Sequence, residues 1–342
     1  MLGETRMKPA GRATVDRQPG PARRPEAPQA SSAKLPNLFI VGAHKTGTTS
    51  LHRYLGAHPA IFMCPIKEPN HFCTDLHRFA ELGFPFALDY KEVLQGKEPP
   101  SDGSIVVGWE DYLALFREVR QEKVVGESSV NYLYSRTAAG EIKKRIPGAK
   151  IVVVLRQPID RAYSHYLNDR RARLRWGTFH EELRRRYEHG DWRSWGAKYP
   201  LIEFGMYHDK VKRYLDLFPR EQVKILLYDD LVRDPEAFLR ELFVFLNVDP
   251  DFRPPNLSRR FNASERLPRS QRLDAFVDSL ESWGAMRLLK GFSVRRRLSR
   301  LYYTGRMPKM TEEDREFLRQ TFAPDVERLA RLIDRDLSAW LK

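Results

Sequence analysis

The stretch that most constrains the fold is Asn37–Leu55, NLFIVGAHKTGTTSLHRYL. A short apolar run, Leu38–Val41, enters a turn in which Gly42 and Gly47 flank a lysine. A helical pattern follows, with Leu51 and Leu55 one turn apart and Tyr54 beside them. A buried strand, a glycine turn and a helix N-terminus in that order make an anion site. Unpaired N–H groups and the positive end of the helix dipole converge on one place.

The spacing is close to a nucleotide phosphate-binding loop but departs from it. The triphosphatase form is G-x-x-x-x-G-K-[ST]. Gly42 and Gly47 have that separation, and Thr49 stands where a Mg²⁺-binding hydroxyl would be, but Thr48 follows Gly47 and the lysine lies inside the loop at Lys45. An ATP-dependent phosphotransferase needs lysine on the β/γ-phosphates and a metal to hold them. An early lysine with several hydroxyls suits a smaller anionic group without a metal bridge. The plainer reading is a tight strand-to-helix turn with incidental hydroxyls.

A second anion-binding pattern follows downstream. Lys150–Leu155, KIVVVL, is a continuous β-branched run of the kind found at the centre of a parallel sheet. Pro158 suits a first helical turn, so Arg156 ends the strand on the sheet edge where open α/β folds place ligands. Ser164 lies about two turns along the helix. A guanidinium fork grips phosphate bidentately, and a hydroxyl adds one donor.

Together, K-T-G-T-T-S-L after a strand and an arginine ending a later strand with a serine eight residues on resemble the PAPS-dependent sulfotransferases. These enzymes use 3′-phosphoadenylyl sulfate. The likeness is to their carbohydrate branch, with the heparan sulfate enzymes and bacterial relatives, and it covers about Pro36 to Leu341. The resemblance implies that Lys45, Thr46, Gly47, Thr48, Thr49 and Ser50 hold the 5′-phosphosulfate. It implies that Arg156 and Ser164 hold the 3′-phosphate, with no metal. Gln157 stands where the family often has Asp. Ser264, Arg266 and Arg269, in FNASERLPRS, resemble a basic loop that closes over the nucleotide.

Ile61–Met63 is a short apolar segment followed by Pro65, Lys67-Glu68-Pro69 and His71-Phe72. A carboxylate beside prolines is held in extended or turn backbone. The segment is similar to the one that carries the family's catalytic base, which makes Glu68 the base. A sugar hydroxyl must lose its proton as it attacks sulfur. The competing reading pairs Lys67 and Glu68 on a solvated surface. Trp109, Tyr112, Leu113 and Phe116 have helical spacing and read as core, although the family places a similar aromatic segment beside its acceptor cleft. Lys123–Glu127 reads as another strand; Glu127 and Asn131 are candidates to face the acceptor, against a cap or turn role for Ser128 and Ser129. Val223–Tyr228 is a further strand. Asp229 and Asp230 after it read as turn and cap residues rather than metal ligands.

Strands alternate with helices, so the expected fold is α/β, a P-loop-like, mostly parallel sheet with helices on both faces and a helical C-terminal extension. Residues 1–34, rich in Pro and Arg, are expected to be a disordered basic tail and 35–342 the sulfotransferase domain. With 342 residues and 42% hydrophobic content the chain can bury one large core. The formal charge of +14 implies anionic ligands or surfaces. No RNP motif or zinc-finger spacing points to nucleic acid, and Cys64 and Cys73 have no metal spacing. A non-catalytic polyanion-binding protein is the other alternative to transfer chemistry. The N-terminus lacks the apolar core of a signal peptide and no run is long enough to span a membrane. Golgi members of the family carry an N-terminal membrane helix, so a cytoplasmic enzyme is expected. The expected acceptor is a carbohydrate, glycolipid or other small hydroxyl compound. The basic run 290–300 is a candidate for peripheral membrane contact.

Overall fold

Five apolar runs form β1 (Leu38–Gly42), β2 (Ile61–Met63), β3 (Val124–Ser128), β4 (Lys150–Leu155) and β5 (Val223–Leu227). They lie in the order β2-β3-β1-β4-β5, and each pairing is parallel. The computed structural model describes residues 34–77, 104–172, 177–186, 197–255, 257, 267–268, 303–304 and 309–342. The expected tail, apart from Lys34, lies outside the described residues. So do Ser264, Arg266, Arg269 and the basic run 290–300.

Side chains along a strand alternate between the two faces of a sheet. Phe39, Val41, Val125, Ile151 and Val153 join one core with residues of the helices Ala138–Arg145, Pro158–Arg171, His208–Leu217 and Glu312–Ile333. Leu38, Ile40, Val124, Val152 and Val154 join a second core with α1 (Thr48–Gly56) and the helices Tyr228–Arg233 and Pro235–Leu246. Both faces are therefore covered, which is why the central strands read as unbroken apolar runs.

Local signals start the helices where the chemistry requires. Pro158 occupies the first turn, and the Gln157 side chain accepts from Asp160 N at 2.6 Å. Asp234 caps Ala237 N at 2.9 Å, and Thr311 caps Asp314 N at 3.1 Å. Asp229 and Asp230 lie in the first turn of Tyr228–Arg233. Asp229 accepts from the indole N–H of buried Trp340 at 2.9 Å, which ties the C-terminus to this helix. Asp230 pairs with Arg233 and with Arg335. Tyr303–Thr304, expected within the helical tail, instead pairs antiparallel with Leu267–Pro268; aromatic and β-branched residues fit extended backbone. Among the described residues no helix is long and apolar enough to cross a membrane.

Because the strands are parallel, the segments that follow β1, β2, β3 and β4 all leave the sheet at its carboxyl end. The candidate site is built from these segments.

Candidate active site

The loop after β1 wraps over the start of α1. Gly47, at the N-cap, has φ +80, and a Cβ there would come 3.1 Å from the Tyr228 ring. Only glycine meets both demands without strain. Thr46 is fully buried, and its hydroxyl donates to the Ala43 carbonyl at 2.8 Å. That hydroxyl, expected on the donor, is committed to the loop itself. Thr48 and Ser50 are buried at the helix start, and Thr49 is half-buried.

Lys45 is itself in the left-handed region, with φ +66. Its ammonium donates to Asn168 Oδ1 at 2.8 Å, and the same oxygen accepts from Arg171 Nη2 at 2.7 Å. Arg156 Nη1 donates to the Lys45 carbonyl at 3.1 Å, and its guanidinium lies 4.8 Å over the Tyr228 ring. Tyr207 fixes the turn by donating to the Arg156 carbonyl at 3.0 Å. Ser164 lies one turn before Asn168; it is half-buried, and its hydroxyl has no hydrogen-bond partner among the described residues. Burial pulls the Lys45 pKa down to about 8; Arg171 and then Arg156 push the same way, while Asp169 and Glu68 oppose them. A site with two neighbouring arginines and a half-buried lysine gains from an arriving anion.

Glu68 enters from the other side. Its N–H donates to the Ser128 carbonyl at 2.8 Å, next to Cys64 N on the Gly126 carbonyl, so the segment after β2 continues alongside β3. Glu68 has φ +62, and its carbonyl accepts from Asn70 Nδ2 and Ser104 N, each at 2.9 Å. Its carboxylate pairs with Lys67, and the two side chains are only 16% and 23% exposed, so this is not a solvated surface pair. Burial pushes the Glu68 pKa up. Lys67, His44 and Lys45 outweigh that and hold it below the ordinary carboxylate value. Glu68 is therefore ionised at neutral pH. Lys45 and Glu68 each act on the other's charge, so the two segments bring them near one another.

A profile described as the Sulfotransferase family matches residues 36–253. The chain belongs to the sulfotransferase family. It is 33% identical to a solved sulfotransferase from Alicyclobacillus acidocaldarius, over 90% of this chain and 100% of that one, with a TM-score of 0.63. It is 26% identical over 317 residues to the bifunctional heparan sulfate N-deacetylase/N-sulfotransferase 4 of Mus musculus, covering 90% of this chain and 31% of that protein. It is 25% identical over 265 residues to carbohydrate sulfotransferase 15 of Mus musculus, covering 63% of this chain and 44% of that protein. The chain thus spans about a third of the length of the heparan sulfate relatives.

Other residues of this member of the family lie apart from the anion loop or join it unexpectedly. Glu127 does not face the cleft. It is fully buried and accepts from Tyr112 at 2.7 Å, Ser129 at 2.7 Å and Tyr132 at 2.8 Å. Burial raises its pKa to about 7 against the pull of those hydroxyls. Asn131 is buried but touches the loop after β1, accepting from His44 Nε2 at 2.9 Å. Trp109 packs on His71 and Tyr112, with the Arg145 guanidinium 4.5 Å over its ring. It is half-buried and packs against the first core, in line with the core reading. Asn168, Arg171 and His44 escaped the sequence reading. Asn168 alone had a readable signal: it lies four residues after Ser164, on the same helix face.

Proposed function

We propose that the protein moves a sulfuryl group from PAPS to a hydroxyl of a carbohydrate or glycolipid. One observation carries the reading: the loop lysine Lys45 and the half-buried, ionised Glu68 lie near enough to act on each other's charge. The residues fit the donor. The glycine turn and Lys45 suit the 5′-phosphosulfate, with Thr48 and Thr49 at the helix start. Arg156, which braces the loop, and the Ser164 hydroxyl, without a hydrogen-bond partner among the described residues, suit the 3′-phosphate. The acceptor class follows the heparan sulfate and carbohydrate relatives.

In the proposed reaction the acceptor oxygen attacks sulfur in line. The new O–S bond forms as the bond from sulfur to the bridging phosphate oxygen breaks, and PAP departs. Glu68 takes the hydroxyl proton, which makes a poor nucleophile competent. Lys45 neutralises charge growing on the bridging oxygen, at a point where buried charge acts strongly. Arg156 rejects donors that lack the 3′-phosphate. The phosphotransferase alternative needs a lysine after Gly47, where Thr48 stands.

Calorimetric titration with PAP, AMP and ATP–Mg²⁺ tests the donor assignment. PAP is expected to bind without metal and far more tightly than AMP, with both lost in Lys45→Ala. Preference for ATP–Mg²⁺, or no nucleotide binding, defeats the proposal.

A further inference from the structure

The orientation of two buried amides fixes the chemistry of a histidine in the loop. Asn70 Nδ2 donates to two backbone carbonyls, Ser104 O at 2.8 Å and Glu68 O at 2.9 Å. A carbonyl has no hydrogen to give, so the Asn70 amide has one allowed orientation, with its NH₂ on those oxygens. Asn70 Oδ1 then accepts from Asn131 Nδ2 at 3.3 Å, which turns Asn131 Oδ1 the other way, 2.9 Å from His44 Nε2. That oxygen can only accept. His44 Nε2 therefore carries the hydrogen, and in the neutral ring Nδ1 is left with a bare lone pair.

The ring is neutral at pH 7 because burial drops the His44 pKa to about 4. Glu68 and the Asn131 bond pull it up; Arg161, on the helix Pro158–Arg171, and Lys67 push it down. The ring is also fixed in place. It stacks on Phe204, Tyr134 and His165 at centroid distances of 5.2, 5.3 and 5.4 Å, and the His44 backbone N–H donates to Tyr134 Oη at 3.0 Å. Nδ1 has no hydrogen-bond partner among the described residues. His44 is half-buried rather than sealed in the core.

We infer that His44 is a second acceptor-side residue, whose Nδ1 takes a hydrogen bond from an O–H or N–H next to the attacking atom of the acceptor. The inference rests on the transfer reading above and adds a demand to it. The acceptor must bring a hydrogen-bond donor beside its nucleophile, either a vicinal hydroxyl or the second N–H of an amine. A cationic or Nδ1–H histidine would repel that donor; the two amides forbid the second state.

The test has two arms. In the first, ¹⁵N-histidine-labelled protein with PAP is followed by NMR from pH 8 to 5. His44 is expected as the neutral Nε2–H tautomer at pH 7, and an Nδ1–H or protonated ring overturns the inference. The second arm uses PAPS with two probe acceptors, heparosan for hydroxyls and N-desulfated heparan sulfate for amines. His44→Gln keeps an amide N–H for Asn131 but lacks the ring acceptor; His44→Asn puts an amide oxygen near the Nδ1 position. KM for the acceptor is expected to rise about tenfold in His44→Gln, the worth of one hydrogen bond, with PAP affinity unchanged and partial rescue in His44→Asn. The probe whose KM moves identifies the donor. An unchanged KM in His44→Gln overturns the inference and leaves the Glu68 assignment intact. Loss of turnover in Glu68→Gln with unchanged KM in His44→Gln separates the two readings. A wild-type enzyme inert to both probes defeats the acceptor class proposed above, and the tautomer spectrum then decides His44 alone.

Discussion

Arg156 donates through Nη1 to the carbonyl of Lys45 at 3.1 Å. The arginine that ends β4 thereby braces the loop that follows β1, and the two expected phosphate grips form one frame. If the guanidinium holds the 3′-phosphate, its loss should be felt mainly by a nucleotide that carries that group. In Arg156→Ala, PAP affinity is expected to fall between about tenfold and about a hundredfold, the range for a hydrogen bond to a charged group, while AMP affinity changes little. Arg156→Lys keeps the charge but not the fork and should recover only part. Calorimetry with both nucleotides measures this; equal losses for PAP and AMP would remove the 3′-phosphate assignment.

Glu68 is ionised and clamped by its own backbone, so its replacement should act on chemistry rather than on donor binding. Glu68→Gln is expected to lower kcat by about 10² to 10³, within the usual range for a general base, with PAP affinity within twofold of the parent. Retained turnover in the variant would mean that another group takes the proton.

The lysine sets a pH limit. Lys45 is charged below its pKa of about 8 and neutral above it. PAP affinity should hold steady up to pH 7.5 or so and then weaken, approaching tenfold per pH unit. Because the Arg171 charge helps to depress this pKa, Arg171→Gln should move the break to higher pH. A titration series from pH 7 to 9.5 gives both curves, and a break unmoved by Arg171→Gln would argue against Lys45 as the titrating group.

Glu127 sets a different limit, on stability. Its folded pKa of about 7 lies above the ordinary value of 4.5. The folded state therefore keeps a proton that the unfolded chain has released. The stabilisation is complete below about pH 4.5 and is lost as pH rises through about 7. The full loss is on the order of 3 kcal/mol at 1.36 kcal/mol per unit. Urea denaturation of the parent should show stability falling from pH 5 to 8, and Glu127→Gln should flatten that slope. A parent whose stability rises over this range would show that the three hydroxyls keep Glu127 ionised.

The parts of this fold that could be read in advance are those that repeat along the chain. The strands were visible because burial on both faces leaves unbroken β-branched runs. The two strand-to-helix turns, at Gly42–Gly47 and Arg156–Pro158, were visible because each combines a strand end, a turn and a helix start. Glu127 was misplaced for a geometric reason. It ends a strand, like a cleft residue, but lies opposite Phe39 in register and turns with it into the first core, where Tyr112 and Tyr132 wait. Asn168 meets Lys45 across 123 residues of sequence, a separation that no local period encodes. His44 carried no signal at all. Its character comes from Asn70 and Asn131, which are themselves unremarkable polar residues until the fold brings them into line.

One feature of the sheet acts as a ruler. β3 lies between β1, which carries the Lys45 loop, and β2, which leads to Glu68. Neighbouring strands stand about 4.8 Å apart because backbone hydrogen bonds hold them there. The Lys45 loop and the Glu68 segment, proposed as donor loop and base, are thus suspended from rails about 10 Å apart, a width that side-chain changes cannot reset. The gauge of the reaction is written in the main chain, and a different acceptor has to be accommodated by what roofs the gap, never by widening it.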